Sequence, residues 1–417
     1  MRKLILSATI LLSGLFTFGQ DTKLTNTLLW RITGNGLSKP SYLYGTMHLT
    51  DKRIFQLGDS VYKALEQTDG FAAELDMNRL GTQMMNQFLN NEEQKNATEP
   101  PKVKERVSEE TWNKYKLLLE KKFNKKADKI TVDDLDNIES KLQLDLFKKG
   151  DMPTFLDAWL SGQARKQGKW VGGIEDLEDQ LEHMNDFGDI EEKIQLALFD
   201  DNYYRGSLEW FIKVYTNQQL DTIDAFMYRE EDGKKDYIMI KRNLKMARRM
   251  DSLSAIRSTL FAVGAAHLPG DSGVIALLRS RGFTVTPVIS SKKINPDKYT
   301  SKAVEIPWTP VAVNDNVYAL QMPGVAEGIE MFESMGLEMK MYFDISFMKM
   351  YMTMGIEVPE ERRKLGADSL YNGLRSRYAS KGEVLKEKPV TVNGVEGREY
   401  RISTYEGEMK MQIFIPE

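Results

Sequence analysis

Two of the three histidines in this 417-residue chain occur in the same local pattern. The strings Gly45-Thr46-Met47-His48 and Gly264-Ala265-Ala266-His267 each follow a short apolar run, and Leu follows each histidine. Imidazole side chains bind metal ions and transfer protons near neutral pH. We therefore predict that His48 and His267 form opposite halves of one chemical site. The alternative is that both strings are tight turns whose histidines cap a backbone carbonyl.

Three further charged residues are candidates for the same site. Glu74 follows the apolar run Phe71-Ala72-Ala73, and Glu175 follows a similar run at 170–174. An acidic residue directly after a strand can bind a metal ion or act as a general base, and it can also cap a helix or lie in a solvated loop. Arg242 lies in a segment with a helical packing pattern, where it could stabilise negative charge or pair with a surface acid.

These residues have to be positioned by strands that alternate with helices. Apolar runs on both sides of Gly34-Asn35-Gly36 predict a β-hairpin. Further strands are predicted at 70–75, 170–175, 260–263 and 283–288, and helical patterns fill most of 78–167 and 178–249. This order is typical of an α/β domain with a largely helical insertion. In such folds the residues after the strands lie over the sheet edge that commonly binds ligands. Glycine at a strand end is expected to let the chain turn sharply.

The sequence pattern changes after about residue 292. Alternating strand-like segments dominate residues 303–417, with one predicted helix at 360–378 and a hairpin turn at Asn393-Gly394. We predict a separate α+β domain over 303–417, joined by a linker over 291–302. Methionines alternate from Met348 to Met354; such thioethers can bind Cu(I), but we favour a packed core face.

The N-terminus predicts export. Arg2-Lys3 precede an apolar stretch from Leu4 to about Phe18, and this layout is typical of a signal peptide over residues 1–20. An uncleaved membrane anchor is the alternative, and we expect no transmembrane segment after the signal peptide.

The chain has no cysteine, which excludes disulfides and thiolate chemistry. A formal net charge of −4 gives no case for a nucleic-acid partner. The first domain is expected to cover 21–290.

Five stretches in the same order resemble the motifs of the TraB/GumN family, also called the TIKI-like superfamily. They are Tyr42–Leu49, Ala73–Asp76, Gly173–Gln180, Arg242-Asn243 and Val263–Leu268. The resemblance covers about residues 26–289. It implies an α/β sheet core of the TIKI/EreA/ChaN type, in which two pseudo-symmetric halves each contribute a G-x-x-H corner to a shared cleft.

The resemblance also implies a site and a chemistry. Animal members are metal-dependent peptidases, and bacterial members include inhibitors of peptide pheromones. Carried over by position, His48, His267 and Glu74 are the metal ligands for Mn, Co or Zn, and Glu74, Arg242 and Glu175 are the catalytic residues. Asp176 departs from the family, whose members usually have Thr after this Glu. The chain has no H-E-x-x-H motif, so ordinary zincin chemistry is excluded.

The function expected from these observations is an exported, periplasmic or extracellular, metal-dependent hydrolase of peptides or proteins. Two imidazoles and a carboxylate are a reasonable ligand set that leaves positions for water and substrate. The alternative is a non-catalytic protein that sequesters a peptide or similar ligand in the same cleft.

Overall fold

The computed structural model describes most of the chain after the N-terminus. The described residues are 25–97, 100–138, 151–180, 190–198, 201–227, 233–313, 318–329, 332–333, 337–380, 382–404 and 407–415. The predicted signal peptide lies outside them. By contacts the chain divides into two compact units, Met1–Thr353 and Met354–Glu417.

A six-stranded mixed sheet forms the centre of the first unit. Its strands are β1 (Leu29–Gly34), β2 (Ser41–Thr46), β4 (Gly70–Ala73), β5 (Trp170–Gly173), β6 (Thr259–Gly264) and β7 (Phe283–Pro287). The order across the sheet is β5-β4-β6-β2-β1-β7. Strands β5, β4, β6 and β2 run parallel to one another, whereas β1 is antiparallel to both β2 and β7. The β2, β4 and β6 strands are almost wholly buried, as expected for parallel strands covered on both faces.

Helices make the connections between the parallel strands. In the first unit they are α1 (Asp59–Gln67), α2 (Met77–Ala97), α3 (Glu109–Phe123), α4 (Leu156–Lys166), α5 (Ile190–Leu198), α6 (Asp201–Thr216), α7 (Leu220–Met227), α8 (Gly233–Ile256) and α9 (Val274–Ser280). Most of them pack on the core around the sheet, but α3 and α5 form a second apolar cluster that includes Trp112, Leu119 and Ile194. The predicted α/β class with a largely helical insertion is confirmed.

The predicted first hairpin is also confirmed. Leu29 pairs with Tyr44 and Ile32 with Ser41 in antiparallel register. The connecting turn contains Gly34, Asn35 and Gly36, all with positive φ, a conformation that glycine and asparagine adopt more readily than other residues.

Residues after β7 add small sheets to the first unit. Short strands β3 (Leu57–Gly58) and β8 (Lys293–Ile294) pair with each other, as do β9 (Thr309–Val313) and β10 (Tyr318–Met322). Strands β11 (Glu327–Gly328), β12 (Glu338–Asp344) and β13 (Lys349–Gly355) form a third small sheet. The division at residue 353 therefore does not coincide with the boundary expected near 290, because residues 291–353 make their contacts within the first unit. The domain plan itself stays a prediction.

The alternating methionines differ from the favoured interpretation. Met339 and Met341 on β12 are buried against α2, as expected for core residues. Met348, Met350, Met352 and Met354 are instead exposed, at 48%, 49%, 55% and 40%. The prediction that these four fill a core was wrong. Met348 lies in the turn before β13, and the half-buried Tyr351 and Thr353 are on the face of β13 opposite the other three methionines.

The described residues of the second unit form two helices and a three-stranded sheet. They are α10 (Glu360–Arg363), α11 (Ala367–Ala379), β14 (Glu383–Val392), β15 (Val395–Thr404) and β16 (Gly407–Phe414). The predicted turn at Asn393-Gly394 joins β14 to β15, and both residues have positive φ. The single predicted helix is divided in two near Gly366, whose φ of 79° interrupts the helical backbone. No helix among the described residues is long and apolar enough to cross a membrane.

Candidate active site at the carboxyl edge of the sheet

The predicted site residues follow the carboxyl ends of four parallel strands. His48 follows β2, Glu74 follows β4, Glu175 follows β5 and His267 follows β6. Register places Thr46 beside Gly264 and Ala73 beside Gly173, so the four strands end at nearly the same level. The short turn Ala265–His267 is a 3-10 helix that begins directly after β6. The structure therefore brings the two G-x-x-H strings to one edge, as the sequence predicts.

His48 is held by a buried aspartate from α4. Its Nδ1 lies 2.8 Å from Asp157 Oδ2, and the other oxygen of Asp157 accepts a hydrogen bond of 2.6 Å from the Thr46 hydroxyl. Because a carboxylate only accepts hydrogen bonds, the Nδ1 atom of His48 carries a proton. In the neutral ring the lone pair is therefore on Nε2. The negative charge of Asp157 raises the pKa of His48 above its usual value. The His48 side chain is 52% exposed, so it forms the open side of the cleft.

His267 is held in the same way by an amide. Its Nδ1 lies 2.6 Å from Asn243 Oδ1. The Asn243 amide nitrogen donates to the Ser272 carbonyl at 2.9 Å, which fixes the amide orientation and leaves its oxygen facing the ring. His267 therefore carries its proton on Nδ1 and presents Nε2 to the cleft. Unlike His48, it is buried.

Glu74 lies between the two imidazole rings. Its Oε1 is 3.8 Å from His48 Nε2 and 3.6 Å from His267 Nε2. The same oxygen accepts a hydrogen bond of 2.6 Å from the Gly264 backbone N–H. Burial by itself would raise the pKa of Glu74, but the charges of His267, His48 and Arg242, together with this N–H, lower it to about 2. The two rings thus meet at one ionised carboxylate.

Arg242 connects Glu74 with Glu175 inside the protein. Its guanidinium donates to both oxygens of Glu175, at 3.0 and 2.6 Å, and to Glu74 Oε2 at 3.1 Å. Gln180 donates to both carboxylates as well, at 3.0 and 3.3 Å. Burial raises the pKa of Glu175, although Arg242 opposes this rise. Both glutamates and Arg242 are buried, so the guanidinium is committed to the two carboxylates.

Asp176, the departure from the family pattern, lies at the outer edge of this network. Its carboxylate pairs with Lys245 at 2.8 Å and with Arg249 at 2.6 Å. Both basic residues are on α8, the helix that carries Arg242. The aspartate therefore fastens the loop after β5 to α8, a role that threonine could not perform by charge.

The two motif glycines are needed for close approach and not for an unusual turn. Neither Gly45 nor Gly264 has a positive φ, so the expected sharp turn based on glycine angles was wrong. A Cβ on Gly45 would lie 3.2 Å from Ala265 Cα, because the two corners pack against each other. A Cβ on Gly264 would lie 3.2 Å from Glu74 Oε1 and 3.6 Å from His48 Nε2. The absent side chain leaves the space between the rings open.

The donor set fits a divalent cation in its chemistry. Each Nδ1–H is anchored by an oxygen, the usual arrangement for metal-binding histidines. Two ligands of one ion lie at most about 4 Å apart, since each bond is about 2.1 Å. The separations of 3.8 and 3.6 Å between Glu74 Oε1 and the two Nε2 atoms are within that limit. Among the described residues, however, no group of three or more such side chains is arranged as a ready metal site.

Two functional side chains were missed or undervalued in the sequence. The sequence pattern places Asp157 only within a predicted helix and Asn243 only beside Arg242. A charged residue within the apolar string Leu156-Asp157-Ala158-Trp159-Leu160 is a usable signal, because buried aspartates require a partner.

The mixed sheet carries its two histidine corners at the carboxyl edge of its parallel strands, the edge at which α/β folds commonly bind ligands. The profile of the TraB/PrgY/gumN family matches residues 28–287, so the chain belongs to this family. The chain is also 23% identical over 329 residues to "Metalloprotease TIKI2" of Danio rerio, a match that covers 62% of this chain and 60% of the relative. The chain thus spans about three fifths of that relative's length. No solved structure matches the chain.

Proposed function

We propose that the protein is an exported, metal-dependent hydrolase that cleaves peptide or protein substrates at the carboxyl edge of the sheet. One observation carries this proposal: the Nε2 atoms of His48 and His267 both face Glu74 Oε1, and each Nδ1 is anchored by an oxygen. The similarity to a metalloprotease supports the same reaction class. We also infer a sheet core of the TIKI/EreA/ChaN type and a cleaved signal peptide at the N-terminus.

His48, His267 and Glu74 would hold the cation, which we propose to be Mn, Co or Zn. When bound, such an ion polarises a carbonyl and lowers the pKa of water. Glu74 Oε1 lies 3.8 Å from His48 Nε2 and 3.6 Å from His267 Nε2, which favours a ligand role over a general-base role. Substrate would enter on the side of His48, the exposed member of the set.

Arg242 and Glu175 are best assigned positioning roles. Arg242 could stabilise negative charge, but its guanidinium already donates to both glutamates. It therefore orients the Glu74 carboxylate toward the histidines, and Glu175 in turn orients Arg242. Removing either one would misplace Glu74 by a fraction of an ångström, and small misplacements of this kind reduce turnover strongly.

The test combines metal analysis with peptide cleavage. Wild-type protein, His48→Ala and His267→Ala are loaded with Mn, Co or Zn, dialysed and assayed on a peptide library, with Leu117→Ala at an exposed position on α3 as the control. We expect about one equivalent of metal and cleavage for wild type and the control, and loss of both for the two site variants. Folded wild-type protein that neither retains metal nor cleaves any peptide would contradict the proposal.

A second candidate function is sequestration of a peptide without cleavage. It is favoured by the state of Glu74, whose oxygens already accept hydrogen bonds from Gly264, Arg242 and Gln180. It is also favoured by the lack of a ready three-ligand group among the described residues. Saturable peptide binding that chelators do not affect, with the peptide recovered intact, would support this candidate over hydrolysis.

A further inference from the structure

A segment outside the family-matched region contacts the two helices that adjoin the site. Residues 343–347, at the end of β12 and in the turn after it, are called the wedge segment here; the family match ends at residue 287. On one side the Phe343 N–H donates to Thr82 on α2 at 3.0 Å. On the other side the Thr154 hydroxyl, just before α4, donates to the Ile345 carbonyl at 2.8 Å. The segment therefore lies between α2 and α4.

The strongest contact is a buried ion pair with α4. Arg165 Nη1 lies 2.7 Å from Asp344 Oδ2, and Arg165 Nη2 donates to the Pro323 carbonyl at 2.9 Å. The side chains of Arg165 and Asp344 are only 7% and 3% exposed. The backbones also approach closely, because a Cβ on Gly81 of α2 would lie 2.3 Å from the Phe343 carbonyl oxygen. The wedge segment thus packs closely against both α2 and α4.

This ion pair is poorly explained as a simple source of stability. Within the described part of the chain, Asp344 Oδ1 and the hydroxyls of Ser161 and Ser346 are buried and have no hydrogen-bond partner. Buried pairs with unsatisfied neighbours often contribute less stability than apolar residues of the same volume. Such a pair still fixes one geometry, because shifting either partner leaves a charge uncompensated.

Arg165, which pairs with Asp344, and Asp157, which pairs with His48, lie on the same face of α4. Asp157, Ser161 and Arg165 are spaced four residues apart, so they lie on one helical face, and all three are buried. Asp157 and Arg165 are separated by about 12 Å along the helix axis. A helix of this length moves as a rigid body, so its axial position at Arg165 also sets the position of the Asp157 carboxylate.

We propose that the wedge segment is a positioning element of the active site: the Arg165–Asp344 pair fixes α4 and thereby sets the Asp157–His48 hydrogen bond. The family region would then depend for its site geometry on residues that follow it in the chain. The catalytic consequence rests on the proposed hydrolase function, whereas the geometric consequence does not.

The test uses the small number of histidines. In metal-free protein labelled with ¹⁵N-histidine, the ring nitrogen shifts of His48 and His267 report which nitrogen carries the proton. Asp157→Ala removes the hydrogen-bond partner of His48 Nδ1 and therefore gives the reference shifts for a His48 ring without this partner. In Asp344→Asn we expect the His48 shifts to move toward those of Asp157→Ala, while the His267 shifts stay unchanged because Asn243 is on α8. If turnover is established, kcat should fall about tenfold with KM unchanged.

Two further variants keep the test decisive. Val285→Ala, a cavity variant on the edge strand β7, controls for general destabilisation and should leave both histidines unchanged. Asp344→Glu, which keeps the charge but lengthens the side chain that pairs with Arg165, replaces Asp344→Asn if that variant does not fold. Unchanged His48 shifts in a folded wedge variant would overturn the proposal. Equal changes in the ring nitrogen shifts of both histidines would also overturn it if Val285→Ala showed them too, since general destabilisation would then explain the effect.

Discussion

Replacing Gly264 by alanine tests whether the space between the histidines is the reaction centre. Gly264 has φ −50° and ψ 133°, which any L residue can adopt. The added methyl group would lie 3.2 Å from Glu74 Oε1, 3.5 Å from His267 Cδ2 and 3.6 Å from His48 Nε2. The first of these contacts is closer than ordinary van der Waals contact. The Glu74 carboxylate therefore has to move by a few tenths of an ångström.

We expect the fold to tolerate Gly264→Ala and the chemistry to fail. Replacing glycine restricts the unfolded chain and stabilises by about 0.4–1 kcal/mol. The tight contact costs about 1–3 kcal/mol, so the free energy of unfolding should fall by about 2 kcal/mol or less. A displacement of about 1 Å at a reacting group can cost about a hundredfold in rate. The smaller displacement here should lower kcat/KM about tenfold and reduce metal retention.

Peptide cleavage, metal content and urea unfolding are measured on the same preparations. Gly206→Ala is the matched control, because a Cβ there meets nothing within 4 Å and the site on α6 is helical. Wild-type turnover and metal content in folded Gly264→Ala would refute the placement of the reaction centre. A loss of stability far above about 2 kcal/mol would show instead that Gly264 serves packing.

Two further predictions concern the charges of the site. Arg242→Gln should lower the free energy of unfolding by about 3–5 kcal/mol in urea titrations, because it leaves Glu74 and Glu175 buried without their counter-ion. Arg249→Gln on the same helix, which breaks only the half-exposed pair with Asp176, should cost less than about 1 kcal/mol; equal losses would contradict the central place of Arg242. Glu74 has its pKa lowered from 4.5 to about 2, so its contribution to stability is present above pH 4.5 and is lost as the pH falls toward 2. In acid unfolding curves, the free energy of unfolding of Glu74→Gln should therefore fall less steeply between pH 4.5 and 2 than that of wild type. The difference in slope corresponds to at most about one proton. Identical slopes would show that the Glu74 pKa is not lowered.

The parts of the site nearest the strands could be predicted from the sequence. Apolar runs that end in glycine predict where strands stop, and parallel strands bring their carboxyl ends to one edge. His48, Glu74, Glu175 and His267 are each within three residues of a strand end, so local pattern was sufficient to group them. The local pattern could not show that Arg242 bridges the two glutamates, because that contact depends on how α8 packs on the sheet.

The remaining parts depend on tertiary packing alone. Asp157 reaches His48 from a helix 109 residues further along the chain, and Asp344 reaches Arg165 across 179 residues. Periodicity predicts the helix and the strand but not which neighbour each one meets. The exposure of Met348, Met350 and Met352 has the same cause: alternation predicts a strand, but the burial of one face depends on what packs against it.

The charge balance of the site explains why anchored histidines and a buried arginine occur together. Asp157, Glu74 and Glu175 contribute three carboxylates, whereas Arg242 contributes one positive charge. Two negative charges remain, and two imidazoles face them. Without metal, a proton on the His48 ring reduces this imbalance, which is the direction of its raised pKa. A divalent cation at the proposed site would balance it with neutral rings, so protons and cation would compete for the same two nitrogens. The lowered pKa of Glu74 belongs to the same balance, because its ionised form is needed in both states.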